Sequence, residues 1–319
     1  FSTASNDDAI NAACNVYDLS IWTELSKEEI IARLKALATN YATWMNNQRI
    51  KVVGEPLLNQ IINKQEEFYN RLIDNINYLD TNNRAFKCFL VANTAMYIQM
   101  LLCRDSRFEA KGRDFLTYAS PQDDVFQKDD SWNYFKNRCG YNPQYRPFQL
   151  AFLLMNVKST FEVDDTYHKD VVDLIWFPTG GGKTEAYLAV TALTIAERRS
   201  SNSHEDLSGV SVIMRYTLRL LTSQQFERAS YLICALDYLR QQFIAKGLTN
   251  DYYLGEQNEN ITIGMWIGSA STPNHVSDLT ANGSKWKKFF DAALTAIPEM
   301  NPFPVSCCPW CCCNFVTPG

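Results

Sequence analysis

The sequence lacks the features of secreted and membrane proteins. Its 319 residues contain no signal-peptide pattern and no apolar run approaching the ~20 residues that a membrane-spanning helix needs. It also lacks an excess of positive charge, because 35 acidic residues outnumber 30 basic ones. We therefore expect a soluble protein in which any contact with nucleic acid depends on a local patch rather than on the field of the whole molecule.

The ten cysteines lack the spacing of a disulfide framework. Five are scattered along the chain, and the other five crowd into residues 307–313. This distribution favours a reducing compartment, so we expect the protein in the cytoplasm. The length predicts about two domains, and 46% hydrophobic residues are ample for their cores. Phe1 in place of a starting Met and the terminal cysteine cluster lead us to expect a longer natural protein.

Residues 1–140 read as an all-helical domain that ends in a loop-rich connector. Ser26 followed by Lys-Glu-Glu marks a helix start, with a capping hydroxyl and acids in the first turn. A second helix is predicted over Glu55–Leu79 and a third over Arg84–Leu102. The third is apolar almost all round, which is typical of a buried core helix. No catalytic constellation is evident here, and the paired acids at 123–124 read as solvated loop residues.

The most informative stretch is Val171–Leu188, which reads as a strand, a glycine turn and a helix. Val171–Phe177 is apolar and β-rich, the pattern of a strand buried on both faces. The three glycines that follow permit positive φ, so that backbone N–H groups and the helix N-terminus can hold an anion. This order is that of a phosphate-binding loop, although Phe177 stands where Gly or Ala is usual. The alternative is a glycine-rich turn that binds nothing.

A nucleotide site can be assigned to this turn. Lys183 can reach the β- and γ-phosphates of ATP and Thr184 can ligate Mg²⁺, so these two are the predicted catalytic residues. Upstream, Gln149 opens an apolar helix and carries a carboxamide able to pair with N6 and N7 of adenine. The alternative for Gln149 is a surface residue on a capped helix. The predicted nucleotide-binding residues are Arg146, Gln149, Pro178, Thr179, Gly180, Gly181, Gly182, Lys183, Thr184 and Glu185.

A second strand is predicted over Gly209–Met214, leading into a long helix. Thr217, Arg219 and Gln224 at the helix entry have the order of a helicase motif, Pro-Thr-Arg followed by Gln, with one extra residue and with Tyr216 in place of the Pro. Hydroxyls and an arginine at a helix start are suited to contact with nucleic-acid phosphates. The alternative is a capped surface helix without that role.

A third strand is predicted over Ile261–Gly268, followed by a polar loop that includes Thr272. Ligands of open α/β sheets bind at the carboxyl ends of the strands, so Thr272 joins the predicted nucleic-acid contacts. The predicted fold is therefore α/β: the helical domain, then an incomplete RecA-like lobe with a parallel sheet over residues 141–319.

The chain ends near a Cys308-Pro-Trp-Cys311 pair, which is half of a four-ligand zinc site. Three interpretations are open: a zinc knuckle completed by residues after 319, a redox pair, or reduced cysteines without a role. Pro302 and Pro304 argue against the redox pair, because a thioredoxin-type pair opens a helix after a strand. We expect Cys308 and Cys311 to be zinc ligands.

Two long motifs carry a resemblance to a known family. They are Trp176-Phe-Pro-Thr-Gly-Gly-Gly-Lys-Thr-Glu-Ala-Tyr-Leu188 and Met214-Arg-Tyr-Thr-Leu-Arg-Leu-Leu-Thr-Ser-Gln-Gln-Phe-Glu-Arg-Ala229. With Arg146-Pro-Phe-Gln-Leu150 and Cys-Pro-Trp-Cys, they resemble the large helicase subunit of bacterial DISARM anti-phage systems over most of residues 85–319. The resemblance implies a superfamily-two, ATP-dependent DNA helicase or translocase that acts with a partner subunit and without a membrane.

The chain departs from that family's pattern after Thr184. No predicted strand ends in Asp-Glu, the pair that holds Mg²⁺ and orients water, and the second RecA-like lobe is missing. We therefore expect this chain by itself to bind nucleotide weakly and to hydrolyse it poorly. A second hypothesis is a nucleotide-gated DNA-binding or assembly subunit, in which another chain performs the chemistry.

Overall fold

The computed structural model describes most of the chain. The described residues are 25–108, 143–162, 171–178, 180–201, 209–216, 219–267 and 275–295, together with Leu19, Trp22, Asp164, Pro273 and 308–310.

Nine α-helices account for the regular structure of these described ranges. They are α1 (Lys27–Lys51), α2 (Pro56–Thr81), α3 (Asn83–Phe108), α4 (Pro147–Met155), α5 (Val157–Phe161), α6 (Lys183–Ser200), α7 (Arg219–Ala245), α8 (Val276–Thr280) and α9 (Lys285–Thr295).

The first three helices are confirmed where the sequence predicted them. Ser26 caps α1 in a capping box, because its hydroxyl accepts from the Glu29 N–H while the Glu29 carboxylate accepts from the Ser26 N–H. Asn82 alone joins α2 to α3. Its own N–H closes the end of α2 on the Tyr78 carbonyl, and its side-chain oxygen accepts from the Ala85 N–H at the start of α3. Local capping chemistry therefore sets these boundaries.

Helix α3 is the centre of the core. It packs against both α6 and α7, and side chains all round it are buried, including Phe89, Met96 and Leu101. Its segment Asn83–Cys103 is long and apolar enough to cross a membrane by length and composition, and 83% of that segment is buried inside the protein. The predicted core helix is confirmed, and its apolar surface is covered by neighbouring helices.

One hydrophobic cluster continues from the N-terminal helices into the later ones. It includes Leu34 of α1, Phe89 of α3, Leu193 of α6 and Leu236 of α7. The predicted division between residues 1–140 and 141–319 falls at a point outside the described residues.

The predicted parallel sheet of a RecA-like lobe is wrong for the described residues. Val171–Phe177, Gly209–Met214 and residues 261–267 form neither a helix nor a β-strand. Gln144 is an isolated bridge residue and the described part of the chain contains no strand. The observed architecture there is a set of helices packed around α3, and the three segments lie outside regular secondary structure.

Side chains of the helices bond to each of these segments: Arg71 of α2 donates to Asp173, and Asp237 of α7 accepts from the Ile261 N–H. Arg198 of α6 bonds to Ser211, and Arg199 donates to the carbonyls of Leu254, Glu259 and Asn260. Val212, Met214 and Ile261 pack against the helical core, whereas Val172, Trp176 and Trp266 are exposed. A short apolar run is compatible with either arrangement, because strand formation requires a partner elsewhere in the chain.

Candidate functional site

The glycine turn between residues 171–177 and α6 has a defined geometry. Gly180 (φ 80°) and Gly182 (φ 85°) occupy the left-handed region, and Gly182 is the N-cap residue of α6. Gly181 has an ordinary φ but no room for a side chain, since an added Cβ would lie 2.3 Å from a Phe177 ring carbon. An added Cβ at Gly182 would lie 2.7 Å from Nε2 of Gln149. The three glycines are therefore needed for shape as well as for flexibility.

Lys183 and Thr184 form the first turn of α6. The Lys183 ammonium group bends back over the turn and donates to the carbonyls of Phe177 (2.6 Å) and Pro178 (3.2 Å). An α-helix leaves its first N–H groups without partners inside the helix, and its N-terminus carries partial positive charge. The turn thus brings together an ammonium group, backbone donors and a hydroxyl at one helix end, a set suited to phosphate.

The start of α4 holds the turn from the side. Arg146 Nη1 donates to the Gly181 carbonyl (2.9 Å), and Gln149 Nε2 donates to the Gly182 carbonyl (2.6 Å). The Phe148 and Phe177 rings stack with centroids 4.3 Å apart. The sequence assigned Arg146, Gln149 and the glycines to one nucleotide site. In the structure, Arg146 and Gln149 contact the glycine turn.

Gln149 is buried, and both ends of its carboxamide are engaged. Its oxygen accepts from the Arg146 N–H (2.6 Å), which completes a capping box at the start of α4, while its nitrogen bonds to the glycine turn. With both of these bonds formed, the Gln149 carboxamide positions the glycine turn. Recognition of adenine by Gln149 stays a prediction, and it requires these bonds to be exchanged.

Thr184 is buried and connects the turn to α7. Its hydroxyl donates to Oε1 of Gln225 (3.1 Å) and shares a hydrogen bond with the Tyr187 hydroxyl (3.0 Å). The Tyr187 hydroxyl also bonds to that of Tyr216, and burial together with this bond raises the pKa of Tyr216 far above its ordinary value. Sequence reasoning missed Gln225 and Tyr187, because nothing in their spacing shows that they meet Thr184.

Glu185 forms an ion pair with Arg228 of α7, and both side chains are mostly buried. The pair neutralises a carboxylate that would otherwise repel an anion at the helix start. Gln225 and Arg228 are three residues apart and so share one face of α7. That face contacts two consecutive residues of the first turn of α6.

A buried ion pair anchors the segment before the glycine turn. Arg71 of α2 contacts Asp173 through two hydrogen bonds of 2.6 and 2.9 Å, and its Nε donates to the Met155 carbonyl (2.8 Å). An arginine that bonds to both oxygens of a carboxylate fixes the relative orientation of the two side chains as well as neutralising their charges. Arg71 and Asp173 are a second set of site residues that the sequence did not reveal, because 102 residues separate them.

The predicted nucleic-acid contacts are only partly described. Thr217 and Thr272 lie outside the described residues, as does Thr179 of the glycine turn. Arg219 begins α7, and its side chain also lies outside them. Gln224 is exposed on α7, one residue before Gln225.

The predicted zinc site also falls mostly outside the described residues. Cys308 is described and forms no disulfide, whereas Cys311 lies outside. Within the described ranges, no group of three or more His, Cys, Asp or Glu side chains is placed to hold a metal ion. Zinc binding by Cys308 and Cys311 stays a prediction.

A cleft of about 500 Å³ lies at the opposite end of α6, among the start of α3 and residues 249–254. At 1.5 Å per residue, the length of α6 puts this cleft about 25 Å from the glycine turn. Its cationic groups are already paired, Arg84 with Glu197 and Lys87 with Asp251. The chemistry suited to a phosphate is therefore at the glycine turn and not in this cleft.

Comparison with known proteins gives a similarity over most of the chain. The chain is 34% identical over 263 residues to the DISARM protein DrmA of Bacillus paralicheniformis. The matched stretch covers 80% of this chain and 21% of that relative, so the chain spans about a fifth of the relative's length. No protein-family model matches the chain.

Proposed function

Because the chain is DrmA-like over 80% of its length, we propose that it is the ATP-binding part of a DISARM anti-phage subunit. The subunit is an ATP-dependent DNA helicase or translocase that acts in the cytoplasm with a second defence subunit. ATP and Mg²⁺ bind at Gly180–Thr184. DNA contacts the start of α7, near Thr217, Arg219 and Gln224.

The observation that carries this proposal is the shape of the glycine turn. Two of its glycines are left-handed, the third has no space for a side chain, and Lys183 and Thr184 follow in the first turn of an 18-residue helix. Lys183 can neutralise the phosphates, the N–H groups at the helix start can hold their oxygens, and the Thr184 hydroxyl can ligate the cation. When bound, ATP supplies the phosphoryl group that is cleaved.

The contact between the turn and α7 supports the DNA part of the proposal. Gln225 and Arg228 touch Thr184 and Glu185, and two of the predicted DNA-contacting residues, Arg219 and Gln224, precede Gln225 on the same helix. A motor needs such proximity, because nucleotide binding must alter the grip on nucleic acid.

The test is ATP hydrolysis by the natural-length protein, with and without single- and double-stranded DNA, beside the Lys183→Ala variant. We expect DNA-stimulated turnover that falls about 10²- to 10³-fold in the variant, because a charge aimed at the transferred phosphoryl group is lost. Lys64→Ala, at an exposed position of α2, is the matched control and should retain turnover. Equal turnover by Lys183→Ala and the natural protein would contradict the assigned site.

A second candidate is a nucleotide-gated DNA-binding or assembly subunit without hydrolysis of its own. The sequence favours it, since no predicted strand after Thr184 ends in Asp-Glu, the pair that holds Mg²⁺ and orients water. The same assay separates the two candidates. Nucleotide binding that requires Lys183 but gives no turnover, even with DNA, would support the gated subunit.

A further inference from the structure

Thr184 is tied to both flanks of the segment predicted to touch DNA. Tyr216 precedes that segment and bonds to Tyr187, whose hydroxyl bonds to Thr184. Gln225 follows the segment and accepts directly from Thr184. One buried hydroxyl is therefore linked to both ends of residues 217–224.

The hydrogen-bond inventory of the Thr184 hydroxyl determines which atoms remain for a ligand. A threonine hydroxyl has one donor hydrogen and two acceptor lone pairs. The hydrogen goes to Oε1 of Gln225, so the bond with Tyr187 must use one lone pair, with the tyrosine as donor. One lone pair is left, and an oxygen lone pair is what a Mg²⁺ ion requires.

We propose that Gln225 is a positioning residue, which orients the Thr184 hydroxyl for Mg²⁺ and thereby couples nucleotide binding to nucleic-acid binding at the start of α7. This inference rests on the proposed function of the glycine turn. Gln225 acts through Thr184 and does not itself touch the nucleotide. The Glu185–Arg228 ion pair, one turn further along α7, joins the same two helices.

The coupling follows from the shared bonds. Nucleic acid bound at the start of α7 displaces Gln225, and so changes how the Thr184 hydroxyl is held. By thermodynamic linkage, magnesium nucleotide must then change the affinity for nucleic acid by the same factor. The direct Gln225 bond is the shorter of the two routes, so its removal should have the larger effect.

The experiment measures dissociation constants of a fluorescent ATP analogue with the natural-length protein. Each constant is determined with and without Mg²⁺, and with and without a saturating single-stranded DNA oligonucleotide. Gln225→Leu keeps the side-chain size and removes the acceptor, whereas Gln225→Glu keeps an acceptor at Oε1. Gln241→Leu is the matched control, because it removes a hydrogen bond of the same helix, to Asp237, far from Thr184.

We expect DNA to tighten binding of the magnesium nucleotide by at least about fivefold in the natural protein. In Gln225→Leu this factor should fall close to one. Half-maximal nucleotide binding should also need about fivefold more Mg²⁺, which is the effect expected from the loss of one hydrogen bond. Gln225→Glu should restore both values. Gln241→Leu should lower the melting temperature yet leave both unchanged. Tyr187→Phe, which lacks only the hydroxyl, should weaken the coupling less than Gln225→Leu does. It is the substitute test if Gln225→Leu does not fold.

The outcomes separate this inference from the function on which it rests. If the natural protein binds no nucleotide, both are overturned. If it binds nucleotide and DNA but neither affects the other, the proposed site stands and the coupling is overturned. The coupling would likewise be overturned if both Gln225→Leu and Tyr187→Phe showed the same response to DNA and the same Mg²⁺ dependence as the natural protein.

Discussion

The residue with the most demanding position in the glycine turn is Gly182. It has a positive φ, and it also faces the carboxamide of Gln149 at a distance that leaves no room for a methyl group. Gly54, in the turn between α1 and α2, has nearly the same φ of 90° but nothing within 4 Å of an added Cβ. The two glycines separate the cost of backbone conformation from the cost of lost space.

We predict that Gly54→Ala lowers the free energy of unfolding by about 1 kcal/mol, the cost of a left-handed alanine. Gly182→Ala should cost about 1–3 kcal/mol more, because it also breaks the bond between Gln149 and the Gly182 carbonyl. Denaturant unfolding of both variants measures the difference. If the two variants lost the same free energy of unfolding, the Gln149 side chain would be able to move away from the added methyl group without cost.

Arg71 and Asp173 also act at the scale of single residues. The Arg71 side chain is 3% exposed and that of Asp173 is 22% exposed. A charge left behind after mutation costs more when water cannot reach it. The two single mutations should therefore be unequal.

We predict that Asp173→Ala lowers the free energy of unfolding by about 3–4 kcal/mol and Arg71→Met by about 2 kcal/mol. The double mutant should lose less than the sum, as a double-mutant cycle would measure. The exposed Lys35–Asp80 pair is the control and should contribute less than about 1 kcal/mol. A larger loss from Arg71→Met than from Asp173→Ala would contradict the argument from burial.

At the scale of elements, two arginines and Asp237 fasten residues 254–261 to the helices. Arg240 of α7 donates to Asp237 and to the Glu256 carbonyl, and Asp237 accepts from the Ile261 N–H. Burial tends to raise the pKa of Asp237, but the bonds from Arg240, Ile261 and Gln241 outweigh it and hold that pKa below its ordinary value of 3.8. The segment is therefore held by an ionised carboxylate.

The sign of the pH dependence follows from this lowered pKa. The stabilisation is fully present above pH 3.8 and is lost as the pH falls through the lower pKa of the folded state. We predict that Asp237→Asn reduces stability at neutral pH and flattens the acid limb of the stability profile. Urea unfolding from neutral pH to below 3.8 measures both effects. An unchanged acid limb would mean that other carboxylates govern acid unfolding.

At the scale of the whole molecule, exposed tryptophans in the segments predicted as strands distinguish the observed architecture from a buried sheet. Trp176 is 89% exposed and Trp266 is 98% exposed, whereas Trp286 at the start of α9 is 4% exposed. A tryptophan in a strand buried on both faces would resemble Trp286.

We predict that Trp176→Ser and Trp266→Ser change the free energy of unfolding of this chain by no more than about 0.5 kcal/mol, as at other surface positions. Trp286→Ala should cost about 3–5 kcal/mol. The two surface variants should also aggregate less on heating, since exposed apolar area is removed. A loss of several kcal/mol from Trp176→Ser would contradict the exposed position of the segment.

The sequence by itself determined the local structure of this protein. The Ser26 capping box, the all-round apolar pattern of α3 and the three glycines before Lys183 depend on neighbouring residues or on allowed φ values, so they can be read without knowing the fold. The order of glycine turn, lysine, threonine and helix follows from the same local rules.

Only the tertiary structure decided what these elements contact. Whether an apolar run pairs into a sheet depends on a distant partner, which is why the predicted parallel sheet was wrong for the residues that the structure describes. The Gln149 carboxamide offers the same donor and acceptor to adenine as to a backbone carbonyl, so its position, not its chemistry, decided that it holds the turn. Likewise, Gln225 and Arg71 reach the site across 41 and 102 residues of chain, a distance over which sequence spacing carries no geometric information.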